Sequence, residues 1–531
     1  MLNQGLGSWI HRRRVKSRGK VAIISQGAEL TYDDFDRNIN ALAHSLMNAG
    51  ISKGDRVAYL GENHPAFLEV FFATTQIGAI FVPLNTRLAA PELHYALEDS
   101  GSRILVHAEV LRELASRASV GIDNLRRITA DGDGSPESIS LESFRSKNTE
   151  FIDAEVNEED AAIILYTSGT TGHPKGAVLM HRNLTWNTFN ALVDYDITSS
   201  EIALLIGPLF HVAALGMGAF PVVLKGGTLI LETSFDPASV LHLIETQRVT
   251  MMSGVPTTFQ LLCEHPNFAG TDLTSIRTFT CGGSALPMRV LDAYEARGIS
   301  FTGGYGMTET APGATSLSPR YSRSKVGSAG TAHFFTDVRV VNEDGTPSAT
   351  GEIGEILIRG KNVIKEYWNR AEASKDSFID GDWFRSGDMG YLDEDGFLFI
   401  ADRLKDMIIS GGENIYPAEI EQMIIELEHI SGVALIGVPD EKWGEVPWAI
   451  VTVTPGSTTS LEEVRDHMDG RIARYKMPKN LIIVDEFPRT GSGKIRKAEL
   501  RKQYRQDEVA RRVLDSFALK SQSRSISYVH R

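Results

Sequence analysis

From Tyr166 to Gly176 the chain reads Tyr-Thr-Ser-Gly-Thr-Thr-Gly-His-Pro-Lys-Gly. Four hydroxyls (Thr167, Ser168, Thr170, Thr171) and three glycines (Gly169, Gly172, Gly176) surround one cation, Lys175. Glycines let a loop turn its backbone N–H groups inward, hydroxyls add donors and the ammonium adds charge. The ligand implied is a polyphosphate. A plain Gly/Ser/Thr hairpin turn shares this composition, but eleven consecutive residues fitting one loop pattern favour the ligand.

The loop is not one of the commoner phosphate cradles. A Walker loop needs four residues between its first glycine and a Gly-Lys-Ser/Thr end, and Gly169-Thr-Thr-Gly172-His-Pro-Lys175-Gly lacks that spacing. Gly304-Tyr305-Gly306-Met307-Thr308-Glu309 begins like a dinucleotide fingerprint but ends in glutamate where a third glycine belongs. Gly491-Ser-Gly493-Lys494 is followed by Ile495, with no hydroxyl for magnesium.

The elements around these residues follow from apolar periodicity. Ala161–Leu165 reads as a buried strand entering the loop, and Ala177–Met180 is apolar enough to pair with it. Upstream, Val21–Ile24 predicts a first strand after a short helix. Thr31 caps a helix whose apolar stripe is Ile39, Leu42, Ala43 and Leu46. Strands at 56–60, 79–82, 103–106, 228–231 and 250–253 alternate with helical patterns, which indicates α/β layers with largely parallel sheets. The stretch 119–160 is polar and reads as loop-rich. Past about residue 325 the pattern becomes antiparallel β, including a hairpin over 390–400 with an Asp-Gly turn. Beyond Asp402 an α+β pattern follows: helix 417–427, strands 432–438 and 448–454, helix 461–472 and strand 480–484.

With 531 residues the chain exceeds a single core. The expected fold class is α/β: a large N-terminal domain over 1–401, with layered sheets, helices and a β-barrel-like part, and a small mobile α+β domain over 402–531. A net charge of −14 argues against a nucleic-acid surface. The two cysteines, Cys263 and Cys281, have neither zinc nor redox spacing, so a reduced, cytoplasmic setting is the default. Ala203–Leu224 carries no formal charge, yet Pro208, His211, Pro221 and several glycines argue for a buried pocket wall over a membrane span. Arg12–Lys20 is basic, which leaves weak peripheral membrane association open beside a solvated helix face.

Six blocks together resemble the adenylate-forming superfamily, which joins acyl-CoA synthetases, luciferases and peptide-synthetase adenylation domains. They are Tyr166–Gly176, Gly303–Glu309, Gly351–Glu355, Trp383–Asp388, Ala401–Pro417 and Pro488–Ile495, in the family's order and spacing. Ser410-Gly-Gly-Glu-Asn-Ile-Tyr-Pro is most similar to the acyl-CoA synthetase branch, especially bacterial fatty-acid–CoA ligases. The resemblance runs from about residue 8 to 505.

It implies ATP, Mg2+ and coenzyme A as cofactors and a two-step reaction. A hydrophobic carboxylic acid becomes acyl-AMP with loss of pyrophosphate, and CoA then takes the acyl group. An amine or a carrier-protein thiol is the alternative acceptor. By this resemblance Lys494 bridges the two anions of the first step. Thr167, Ser168, Gly169, Thr170, Thr171, Gly172 and Lys175 hold the departing phosphates, Thr308 meets the α-phosphate and Glu309 holds Mg2+. Tyr305 lies against adenine with Gly282, Gly283 and Ser284 shaping the slot, and Gly304, Gly306 and Met307 complete it. Asp388 takes the ribose hydroxyls and Arg403 helps hold the nucleotide. Gly411 and Gly412 line a pantetheine tunnel once the small domain has swung about Asp402; Trp443 and Lys476 are weaker candidates for CoA. His211, in Phe210–Ala219, is similar to the histidine that gates the acyl channel. A turn aspartate, a helix-start carboxylate, a tight glycine turn and a core histidine are the ordinary alternatives at Asp388, Glu309, Gly411-Gly412 and His211. Ala213, Ala214, Gly216 and Gly218 would either leave room for a bulky acyl group or serve close packing. No cation stands out as partner for a second carboxylate, so a monocarboxylic acid is expected. A homodimer is left open.

Overall fold

Thr31 closes the strand Ala28–Thr31 and opens the helix Tyr32–Asn48. Its Oγ accepts from the Asp34 amide at 3.2 Å, and the Asp34 carboxylate returns the bond to the Thr31 amide at 3.3 Å. Ile39, Leu42, Ala43 and Leu46 are all buried beneath that helix. Such local signals recur along this computed structural model. It describes residues 1–167, 174–282, 286–403, 406–410, 413–440, 443–469, 471–472, 474–489 and 495–504, the backbone alone at 402, 403, 409, 413 and 414.

Two compact units emerge. The first comprises Met1–Gly351, Ile356–Ser386 and Leu392–Phe399; the second takes Glu352–Glu355, Gly387–Tyr391 and the chain from Ile400. Within the first, one sheet runs in the order Lys175–Met180, Ala161–Thr167, Ile80–Leu84, Arg56–Leu60, Ser102–His107, Arg126–Thr129, Ser138–Ser140, Gly134–Ser135. The central strands are parallel, and the two edge pairs are antiparallel hairpins. A second sheet places Val21–Ser25, Thr228–Leu231, Ile202–Leu205, Met251–Gly254, Thr278–Gly282 and Phe301–Gly306 side by side and parallel. It continues antiparallel through Gly313–Leu317 and Ser328–Ala332. Phe259, Phe279, Tyr294 and Phe301 fill the core beside it, with Phe259 and Phe301 in edge contact at 4.8 Å.

The second unit centres on Ile430–Asp440 paired antiparallel with Gly444–Val453. Strand alternation sends Leu435, Ala449 and Val451 toward the helices Pro417–Ile424 and Leu461–Met468. Ala434, Ile436, Trp448 and Ile450 face Phe487, Leu500 and Tyr504. Both helices end short of the expected 427 and 472.

Two further stretches gain detail. The 119–160 stretch contributes three short strands and the helix Leu141–Phe144 before its irregular part. Its alternating buried serines, Ser138 and Ser140, hid the strand pattern in a polar composition. The basic run near the N-terminus is largely tied down. Arg13 donates to the Leu224 carbonyl, Arg14 pairs with Asp36 at 3.3 Å, and Lys20 caps the carbonyls of Ser199 and Gly226. The uncharged 203–224 stretch breaks into a strand end, a turn, the π-helical Ala214–Ala219 and the helix Phe220–Lys225. Among the described residues no helix is long and apolar enough to cross a membrane.

Candidate active site

Thr167 and Lys175 face each other across the antiparallel pair Ala161–Thr167/Lys175–Met180, so the two strands deliver both ends of the glycine-hydroxyl loop to one point. Ser168, Gly169, Thr170, Thr171 and Gly172 lie outside the described residues. A crossing segment braces the loop's exit: the Trp368 amide donates to Gly176 O at 2.7 Å, and the Val178 amide to Glu366 O at 3.2 Å. That pairing sets the Tyr367 ring against the Lys175 ammonium, 5.4 Å from its centroid. The Tyr367 hydroxyl donates to Glu309 Oε1 at 2.9 Å. Burial, reinforced by the Glu309 charge, pushes the Tyr367 pKa up, so this hydroxyl stays a donor. Lys175, Tyr367 and Glu309 thus form one chain beside the loop.

A second network steadies the loop's flanks. Asp99 accepts from the Tyr166 hydroxyl and from Arg370, each at 2.8 Å, and Tyr95 donates to Pro174 O at 3.2 Å. Neither Tyr367 nor Asp99 was legible beforehand, because each reaches the loop through strand and loop pairing rather than through spacing along the chain.

Gly282 and Gly304 are partners at the C-terminal ends of two parallel strands, the edge where open α/β sheets take ligands. Tyr305 follows, its amide donating to Thr315 Oγ1 at 3.2 Å. At Gly306 a Cβ would stand 1.7 Å from Pro312 O, so only glycine fits. The chain then turns through the 3-10 segment Thr308–Thr310, leaving Met307 and Thr308 half-buried and Glu309 buried. Gly283 and Ser284 are outside the described residues.

The helix His181–Asp194, which follows the loop's second strand, carries buried asparagines at 183, 187 and 190. Asn187 accepts from the Gly313 amide at 2.9 Å and donates to Gly216 O at 3.0 Å. Asn183 donates to Val363 O at 2.7 Å, and Asn190 to Thr336 Oγ1 at 2.9 Å. Asn362 in turn holds Thr310 O at 2.9 Å and Gly313 O at 2.7 Å. These amides bolt the Thr308–Gly313 turn to the loop's own helix.

His211 sits on the turn after Ile202–Leu205, in ring contact with Phe210 at 4.7 Å. Asn63 shapes that turn: its amide nitrogen donates to Gly207 O and Glu232 O at 2.9 and 3.0 Å, and its oxygen accepts from Leu209 N at 2.8 Å. Gly216 and Gly218 serve close packing, since a Cβ would come within 2.6 Å of Ala311 O at the first and 2.8 Å of Leu205 Cδ2 at the second. Ala213 is exposed and Ala214 partly so.

In the second unit, Asp388 is buried within the strand Trp383–Leu392, and the Arg403 backbone ends Leu398–Arg403. Lys476 is engaged by both Glu419 oxygens at 2.7 and 2.9 Å, whereas the Trp443 side chain is 44% exposed. Gly411, Gly412 and Lys494 lie outside the described residues. The Arg489 and Ile495 backbones bridge antiparallel.

Among the described residues no group of three or more His, Cys, Asp and Glu gathers to hold a metal. A single buried carboxylate such as Glu309 nevertheless suits Mg2+, a hard ion bound by one or two carboxylates together with substrate phosphates.

The model for AMP-binding enzyme matches residues 10–368, and that for AMP-binding enzyme C-terminal domain matches 419–494. The chain is 47% identical over 504 residues to a feruloyl-CoA synthase of Amycolatopsis sp, covering 95% of this chain and 100% of that one. It is 41% identical over 492 residues to the long-chain-fatty-acid–CoA ligase FadD13 of Mycobacterium tuberculosis, covering 90% and 94%. A solved Mycobacterium tuberculosis fatty acyl CoA synthetase superposes with a TM-score of 0.76 at 37% identity, covering 95% of this chain and 99% of that one.

Proposed function

Since the chain belongs to the AMP-binding enzyme family and is an AMP-forming acyl-CoA synthetase using ATP, Mg2+ and coenzyme A, we propose that its acid is a hydrophobic monocarboxylic acid, fatty or aryl-bearing. The relatives' named substrates, ferulate and long-chain fatty acids, support that breadth. The division of labour between an adenylation domain over 1–401 and a C-terminal domain from 402 belongs to the same proposal.

Attack of a carboxylate on the α-phosphate brings two anions together, at a cost of about 4 kcal/mol for unit charges near 4 Å at an effective dielectric of about 20. Lys494 is assigned to offset that cost as the bond forms. Loop residues 167–175 hold the β- and γ-phosphates, and Thr308 donates to the α-phosphate. Tyr305, Gly282, Gly283, Ser284, Gly304, Gly306 and Met307 form the adenine slot, while Asp388 and Arg403 hold the ribose and nucleotide. Glu309 would hold Mg2+, which supplies charge neutralisation at the phosphates. The observation that carries this reading is the Lys175–Tyr367–Glu309 chain, in which one tyrosine meets the loop's cation with its ring and the carboxylate assigned to Mg2+ with its hydroxyl. For the second step, Gly411 and Gly412 line the thiol's path, with Trp443 and Lys476 as outer contacts; His211 borders the acid. A cytoplasmic location and a homodimer complete the proposal, while the engaged Arg13, Arg14 and Lys20 weigh against a lipid-binding basic face.

AMP release by the purified protein across fatty, aromatic and polycyclic acids, with CoA present, tests the acid class. Turnover confined to short or dicarboxylic acids would overturn it.

A further inference from the structure

The helix Ala90–Ser100 places Tyr95 and Asp99 four residues apart, on one face. Asp99 Oδ2 accepts from the Tyr166 hydroxyl at 2.8 Å, and its Oδ1 accepts from Arg370 at 2.8 Å. The same Arg370 nitrogen donates to the Tyr95 hydroxyl at 2.8 Å, and that hydroxyl donates to Pro174 O at 3.2 Å. Tyr166 and Pro174 directly precede Thr167 and Lys175, the last pair of the strand ladder beneath the loop. Pro174 has no N–H with which to extend that ladder, and a side chain holds its carbonyl instead. One carboxylate therefore ties both ends of the loop, one directly and the other through Arg370 and Tyr95. The Asp99 backbone is engaged as well: Trp368 Nε1 donates to its carbonyl at 3.0 Å, beside the Tyr367 that reaches Glu309. Arg56 fixes this helix end by donating to Gly101 O at 2.7 Å.

The Asp99 side chain is 13% exposed, so water competes little for it. Burial, then the Asp99 contact, raises the Tyr166 pKa, and its hydroxyl remains a donor. Bonds to an ionised acceptor are stronger than bonds between neutral groups, which suits a carboxylate to this junction. We propose that Asp99 is a positioning residue of the first half-reaction. Acting through Tyr166, and through Arg370 and Tyr95, it sets the spacing of the loop ends that hold the β- and γ-phosphates. The inference rests on the phosphate-loop reading above. Acyl transfer from acyl-AMP to the thiol involves neither of those phosphates, so the second half-reaction does not use the network.

Two measurements on the full chain test this, with the acid that gives the fastest AMP release in the panel above. One is exchange of labelled pyrophosphate into ATP; the other is single-turnover thioester formation from supplied acyl-AMP and CoA. Tyr95→Phe and Tyr166→Phe each remove one hydroxyl. Each should lower kcat/KM for ATP in exchange by about tenfold, part of the ~10²-fold that a misplacement of about 1 Å costs. The KM for the acid and the rate of thioester formation should stay at wild-type values. In an Asp99→Ala background, Tyr166→Phe should have no further effect, because its partner is already gone. Arg370→Lys, which keeps a cation beside Asp99, should lose less exchange than Arg370→Met. The two tyrosine variants decide the matter even if Asp99→Ala fails to fold. Equal slowing of both half-reactions, or exchange unchanged in both tyrosine variants, would overturn the proposal while leaving the acyl-CoA reading intact. Absence of exchange in wild type would instead remove the phosphate-loop reading itself.

Discussion

Tyr367 is the residue on which the site's electrostatics turn, because its hydroxyl reaches Glu309 at 2.9 Å while its ring faces Lys175. Tyr367→Phe keeps the ring and deletes the donor. The expected result is a several-fold higher Mg2+ requirement for AMP formation with a smaller change in the KM for the acid; an unchanged Mg2+ titration would contradict the link. Lys494→Ala should slow adenylate formation by about 10²–10³, the usual loss for one preorganised contact to a developing charge. Thioester formation from supplied acyl-AMP should be largely spared, and single-turnover measurement of the two steps checks this. Legibility differed sharply at this scale. Thr167, Lys175, Tyr305 and Glu309 stand in contiguous runs whose chemistry is visible in order. Tyr367, Asp99, Asn63 and Asn362 gain meaning only from the strands and turns that carry them across the fold.

The helix His181–Asp194 links the loop to the Thr308–Gly313 turn, and its polar stripe faces inward. A polar residue on a helix ordinarily marks the solvent side, so Asn183, Asn187 and Asn190 offered no sign of burial. Asn362→Leu would strand the carbonyls of Thr310 and Gly313 and should cost about 3 kcal/mol of unfolding free energy, seen as a lower urea midpoint. At the helix start, His181 is fully buried and its Nδ1 accepts from the Leu6 amide at 3.1 Å. Burial lowers its pKa from 6.5 to about 4. The unfolded chain therefore binds the extra proton between those values. The neutral ring's contribution is complete above pH 6.5 and is lost as pH falls toward 4. That contribution is about 3 kcal/mol. His181→Gln should flatten the fall in stability across this window, as followed by urea unfolding at stepped pH. Strands with apolar alternation and capped helices such as Tyr32–Asn48 were readable in advance. The short serine-rich strands of 126–140 were not, since a sheet edge can be built from polar residues.

Across the whole molecule, the first family model falls mostly in the first compact unit and the second model in the second, although Glu352–Glu355 of the second unit lie within the residues matched by the first model. The proposed labour is sequential, with a lysine loop for the first step and a glycine pair for the second. A bulky residue in Gly412→Leu should impair thioester formation while sparing adenylation, the reverse of Lys494→Ala; normal CoA turnover in that variant would remove the tunnel assignment. Class of fold and class of reaction were both legible because six separated blocks agree in register. The acid was not, because the residues expected to meet it, Phe210–Ala219, lie outside those six blocks. The most direct test of the central claim is exchange of labelled pyrophosphate into ATP, run with Mg2+ and a broad acid panel but without CoA. Exchange dependent on a hydrophobic acid, and slowed by about 10²–10³ in Lys494→Ala, is the predicted result. No exchange with any acid, or exchange unaltered in that variant, would contradict it.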